Sequence, residues 1–268
     1  MGIALDLDMP EGWHASLAAL DWQHDLGVDD VVGDTPVNAY DLPERAEWRS
    51  PAAAVRPQPA APAETGPAPA DPVAVARASA AGAATLADLH AALADYPHCE
   101  LKRGARNTVF ADGNPLARVL ILGEAPGREE DLEGRPFVGR AGQLLDAMFA
   151  AIGMGRSHPD AAAALYIFNV MPWRPPQNRD PSPEEIAMMV PFVQRHIDLA
   201  DPEVIVLMGN TPLFAATGAK GILRARGAWI TAFGRPALPM THPAYLLRNP
   251  AAKREAWADL LVLQARLR

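Results

Sequence analysis

One succession of strand, loop and helix between residues 118 and 152 constrains this chain more than any other feature. The apolar run Arg118-Val-Leu-Ile-Leu-Gly123 reads as a buried strand closed by glycine. The segment Ala141-Gly-Gln-Leu-Leu-Asp-Ala-Met-Phe-Ala-Ala-Ile152 has the spacing of a helix. Between them lie Gly123-Glu-Ala-Pro-Gly127, Glu129-Glu-Asp131 and Gly134-Arg-Pro-Phe-Val-Gly139. Such a connection presents backbone N–H groups at the strand's carboxyl end, where open α/β sheets bind ligands. Glycine-rich turns are common. This one carries five carboxylates and an aromatic ring between Gly123 and Phe137, more than a turn requires.

The same alternation continues along the chain. Strands are predicted at 118–123, 166–169, 204–208 and 237–241, and helices at 139–152, 183–199, 211–216 and 250–267. Ser182 as cap, Pro183 at the first helical position and Glu185 three after the cap mark a well-formed helix start. Leu86, Leu89 and Leu93 predict an amphipathic helix opening the globular part near Thr85. The pattern implies an α/β fold, a three-layer α/β/α sandwich around a central, mostly parallel four-stranded sheet.

Charge and composition divide the chain. Its formal net charge is −8, yet residues 1–50 hold eleven acidic side chains against two basic ones, and residues 91–268 hold twenty basic against eighteen acidic. Residues 1–50 form an acidic segment, 51–82 an Ala/Pro-rich linker, and 83–268 the globular domain. The plainer reading of the acidic segment is a solvated tail whose tryptophans dock on the body. The sharper reading uses Trp13 and Trp22 to bind a protein partner, or the acidic charge to compete with DNA for the basic face. The single cysteine, Cys99, excludes an internal disulfide and a cluster held by several thiolates. No signal-type leader and no bilayer-spanning run is visible, so a cytoplasmic monomer without membrane contact is expected.

Each predicted strand delivers polar residues to its carboxyl end: the Glu124 loop, Asn169, Gly209-Asn210-Thr211 and Thr241-His242-Pro243. In a parallel sheet these ends share one edge. Asn169 is either a structural cap or a reader of a pyrimidine edge, since an amide donates and accepts at once. His242, held in its turn by Pro243, is structural or catalytic. Phe137 would ordinarily be core, but its loop-forming neighbours suit a stacking role. Arg174-Pro-Pro-Gln-Asn-Arg-Asp-Pro181 is a rigid loop whose Arg174 and Arg179 either face solvent or meet phosphates. Tyr245, Leu246, Leu247 and Arg248 read as an exposed turn, the kind of apolar wedge beside arginine that unstacks DNA.

Together these motifs resemble the uracil-DNA glycosylase superfamily, and within it the iron–sulfur type often called family 4. The matching segments are Gly123-Glu-Ala-Pro-Gly127, Glu130-Asp131, Gly134-Arg-Pro-Phe-Val-Gly139, Arg174-Pro-Pro-Gln-Asn-Arg-Asp-Pro181, Leu223-Arg-Ala-Arg-Gly227 and His242-Pro-Ala-Tyr-Leu-Leu-Arg-Asn-Pro250, in order over residues 96–268. The resemblance implies a monofunctional DNA N-glycosylase of base-excision repair that flips uracil out of DNA and hydrolyses its N-glycosidic bond. Phe137 would stack on the base, Asn169 would bond its Watson–Crick edge, and His242 would stabilise charge on the departing base. The turn Tyr245 to Arg248 would fill the space left in the duplex.

Two departures from the family stand out. The best-known members place an aspartate where this chain has Ala125, a small residue as in family 4, lining the substrate. The carboxylate role then falls to Glu124 or Glu130, with Asn178 to place the water. Second, the four cluster cysteines correspond to Tyr96, Cys99, Trp173 and Met189, so no four-iron cluster and no metal is expected. The alternative reading is a non-catalytic or altered member that binds uracil-containing or single-stranded DNA.

Overall fold

A computed structural model describes residues 71–268; the acidic segment and most of the linker lie outside the described residues. The first element corrects the linker boundary. Pro72–Gly82 forms a helix, α1, capped by Asp71, with Ala76 and Ala80 buried. Alanine-rich sequence reads as linker because it lacks large apolar residues, but small side chains are what allow close approach to a neighbouring helix. Leu86–Asp95 (α2) follows, opened by a capping box between Thr85 and Asp88, and then the short Leu101–Gly104 (α3).

The sheet has six strands rather than the four expected. They are β1 (Asp112–Gly113), β2 (Val119–Gly123), β3 (Leu165–Asn169), β4 (Val204–Met208), β5 (Ile230–Ala232) and β6 (Arg235–Met240), in the order β1-β3-β2-β4-β6-β5. The central four are parallel, as the alternation implied. The two additions are short antiparallel edge strands, too brief for any periodicity to reveal.

The remaining helices are α4 (Arg128–Glu133), α5 (Arg140–Ala150), α6 (Pro183–Ala200), α7 (Asn210–Thr217), α8 (Ile222–Ala225), α9 (Pro243–Arg248) and α10 (Lys253–Leu267). Helix α4 lies within the stretch expected to be loop, closed by Gly134 at φ 72°. Apolar residues cover both sheet faces. Val119, Ile121, Val204 and Val206 pack with α5 and α10 through Leu145, Phe149, Leu260 and Leu263. Leu120, Leu122, Ile205 and Leu207 pack with α1, α2 and α6.

Parallel strand order now fixes where a ligand belongs. The chain passes from β2 outward to β3, then returns to place β4 on the other side of β2. The loops after β2 and β4 therefore diverge and leave a crevice at the strands' carboxyl ends, the topological switch point of an open sheet. Register confirms that the ends align: Gly123 pairs with Asn169, and Met208 with Met240. Among the described residues, no helix is long and apolar enough to cross a membrane.

Candidate active site

The carboxyl-end loops enclose a cleft of about 690 Å³. Phe137 stands in its wall with φ 54°, a left-handed backbone that an aromatic residue adopts only under constraint. Three groups supply the constraint. Arg156 donates from Nη2 to the Phe137 carbonyl at 2.9 Å and from Nη1 to the Pro136 carbonyl at 3.0 Å. It is itself held by Asp112 at 2.8 Å and Asp146 at 2.9 Å. Glu130, on α4, accepts the N–H groups of Val138 and Gly139 at 2.9 Å each through Oε1, and that of Gly127 at 3.0 Å through Oε2. Gly142 completes the seat, since a Cβ there would lie 1.8 Å from the Phe137 oxygen.

Gly123 serves the opposite side. A Cβ there would lie 2.3 Å from Asn169 Oδ1 and 2.5 Å from Phe137 Cε2, so the bare backbone lets amide and ring close together over the strand end. Asn169 closes β3, and its Oδ1 is buried with no hydrogen-bond partner among the described residues. His242 caps α9, accepting the Ala244 N–H at Nδ1 over 3.1 Å. That bond assigns the proton of the neutral ring to Nε2. Burial, reinforced by the Arg248 charge, holds the His242 pKa down to about 4. Its ring stacks on Phe137 with centroids 5.5 Å apart.

Glu124, first after β2, also lines the cleft. Burial raises its carboxyl pKa, while the Thr211 hydroxyl beside it pulls the other way. Ala125, Asn178, Arg179, Tyr245 and Arg248 complete the expected residues on the cleft wall. Asn178 accepts from Arg174 Nε at 2.8 Å, so Arg174 buttresses the loop from behind. Arg179 grips Glu185 through two bonds of 2.6 and 2.9 Å, committing its guanidinium to the start of α6. Exposed Arg140, Lys220 and Arg248 also face the cleft, and none is in a salt bridge among the described residues.

One expectation fails here. The segment from Tyr245 to Arg248 is no exposed turn, because His242 and Pro243 start a helix. Helical spacing then turns Leu246 into the core at 0% exposure, where it cannot act as a wedge, and leaves Leu247 half-buried outside the cleft. Sequence reasoning also missed Arg156 and Gly142, and it placed Thr241 at the strand end without giving it a role. Arg156 lies 19 residues from the carbonyl it holds, and only the fold relates them.

The four positions read as matching the cluster cysteines of the resembled family are buried in one apolar cluster. Tyr96 donates its hydroxyl to the Pro72 carbonyl at 2.7 Å, and Trp173 Nε1 donates to Thr108 Oγ1 at 3.1 Å. Met189 is fully buried, and burial pushes the Cys99 thiol pKa up, away from thiolate. One protonated thiol, a phenol, an indole and a thioether do not fit a four-iron cluster.

The sequence pattern of the family described as "Uracil DNA glycosylase superfamily" matches residues 110–261. A type-4 uracil-DNA glycosylase of Thermotoga maritima is 43% identical over 156 residues, covering 56% of this chain and 77% of that protein. That of Archaeoglobus fulgidus is 36% identical over 173 residues, covering 60% and 82%. That of Pyrobaculum aerophilum is 33% identical over 190 residues, covering 65% and 91%.

Proposed function

The chain belongs to the uracil DNA glycosylase superfamily, and from that premise we propose that it excises uracil from DNA by hydrolysing the N-glycosidic bond. The observation that carries the reading is the convergence of Phe137, Asn169 and His242 on one cleft at the switch point of the sheet.

The C1′ atom of a stacked nucleotide is inaccessible, so the base must first leave the helix, at a cost of a few kcal/mol. Arg140, Lys220 and Arg248 attract the flanking phosphates. Tyr245 enters the duplex from α9 beside Arg248. Phe137 stacks on the extruded base, and the Asn169 amide reads its edge, Oδ1 accepting the ring N–H and Nδ2 donating to a carbonyl. As the glycosidic bond breaks, the sugar gains cationic character and uracil gains negative charge. The Nε2–H of His242 donates to that developing anion, a contribution of about 3–4 kcal/mol for one well-placed donor. A pKa near 4 keeps the imidazole neutral at neutral pH, so it acts as a hydrogen-bond donor rather than as a cation.

Of the two candidate carboxylates, Glu124 is assigned to the water and the sugar cation. Glu130 already spends its oxygens on three backbone N–H groups, which makes it the residue that holds the Phe137 loop. Asn178, steadied by Arg174, places the attacking water. The enzyme works without an iron–sulfur cluster, on uracil-containing DNA, as a monomer in the cytoplasm. Incubation with a U:G oligonucleotide tests this reading. Strand scission after alkali is expected for the wild type and lost in Asn169→Ala and His242→Ala. Tight binding that leaves an alkali-stable strand would instead identify a DNA-binding member without catalysis.

A further inference from the structure

Two buried side-chain atoms on the cleft wall have no hydrogen-bond partner among the described residues, Asn169 Oδ1 and Thr241 Oγ1. The first is accounted for by base reading. The second is not, and Thr241, at 1% exposure, lies immediately beyond β6 and before His242. Neighbouring backbone groups are already engaged. The Met240 carbonyl accepts the Gly209 N–H at 3.0 Å, and the His242 carbonyl accepts the Tyr245 N–H at 2.9 Å. A buried hydroxyl without a partner costs stability, so its presence on a cleft wall points to a partner that arrives with the substrate.

We propose that the Thr241 hydroxyl is a second base-contacting donor, which turns toward the flipped uracil and gives its hydrogen to a carbonyl oxygen. The inference rests on the uracil-excision reading above. Uracil presents two carbonyl oxygens and one N–H on its pairing edge, and the Asn169 amide can serve only one oxygen together with the N–H. As the bond breaks, negative charge spreads over both oxygens. A hydroxyl beside His242 adds a donor where that charge grows. A hydroxyl can donate or accept through the same oxygen, whereas the carboxamide's donor and acceptor atoms are fixed, so discrimination against an exocyclic amino group stays with Asn169.

Thr241→Val keeps the shape and removes the hydroxyl. Its expected signature is one that a structural role would not give: a melting temperature equal to or above that of the wild type, with single-turnover uracil excision slowed roughly 10- to 100-fold. Inhibition by free uracil should weaken in parallel, and Thr241→Ser should restore both. Excision and uracil inhibition within about twofold of wild type would overturn the proposal. So would a lowered melting temperature in Thr241→Val rescued by Thr241→Ser, because the hydroxyl would then serve the fold. A wild type that leaves uracil-DNA uncut would defeat the glycosylase reading itself. Free-uracil affinity, compared between wild type and Thr241→Val, would still decide the role of Thr241.

Discussion

A methyl group is enough to spoil the proposed base pocket. Gly123→Ala would place its Cβ against both Asn169 Oδ1 and the Phe137 ring. Uracil excision is expected to fall by roughly 100-fold or more, while DNA retention through Arg140, Lys220 and Arg248, measured by fluorescence anisotropy, survives. The two glutamates should separate cleanly. Glu124→Gln is expected to slow excision at unchanged melting temperature. Glu130→Gln, which cannot accept from three N–H groups, should cost about 2 kcal/mol in denaturant titration. Equal effects of the two substitutions on stability would contradict the division of roles. Phe137, Asn169 and His242 were legible in the sequence because each ends or follows a strong apolar strand or sits among loop-formers. Arg156 and Gly142 were not, since their meaning lies in contacts with a backbone carbonyl reached only through the fold.

Helix α1 is tied to the domain by buried alanines and by hydrogen bonds from two later elements. Tyr96 reaches the Pro72 carbonyl, and Arg195 on α6 donates twice to the Ala83 carbonyl, at 2.7 and 2.9 Å. Tyr96→Phe should therefore cost about 1 kcal/mol, the worth of one hydrogen bond. Removing residues 1–83 should lower the melting temperature far more than removing residues 1–70, because only the former strips Ala76 and Ala80 from the core. Identical melting temperatures for the two truncations would rule out a supporting role for α1. The long elements were readable from period and capping, as Ser182 and Glu185 show at the start of α6. The elements missed have physical reasons. Helix α1 carries only small apolar residues, α4 is six residues among glycines, and β1 and β5 are short edge strands held by longer inner neighbours.

Among the described residues, the buried His196 and the partly buried His242 shape the response to acid. His196 is sandwiched by Phe168 at 3.9 Å and Phe110 at 4.5 Å, and its Nε2 meets the Tyr166 hydroxyl at 2.8 Å. Burial lowers its pKa to about 3, as it lowers that of His242 to about 4. Below the ordinary value of 6.5 the unfolded chain binds protons that the native state refuses, so stability must fall as pH drops from there toward 4. His196→Phe should flatten that slope in urea denaturation, even though it leaves the Tyr166 hydroxyl without its partner. A slope unchanged by the substitution would show that His196 charges freely in the native protein.

Glycosidic hydrolysis without a cluster is what the proposed function requires of this superfamily member. It is tested by measuring iron and uracil in the same preparation. Protein purified without metal supplements, assayed for iron, is mixed in excess with a U:G oligonucleotide, and the released base is identified by chromatography. Stoichiometric free uracil from protein that contains no iron is the expected result. No uracil released from DNA that the protein binds, or release that tracks iron content across preparations, would contradict it.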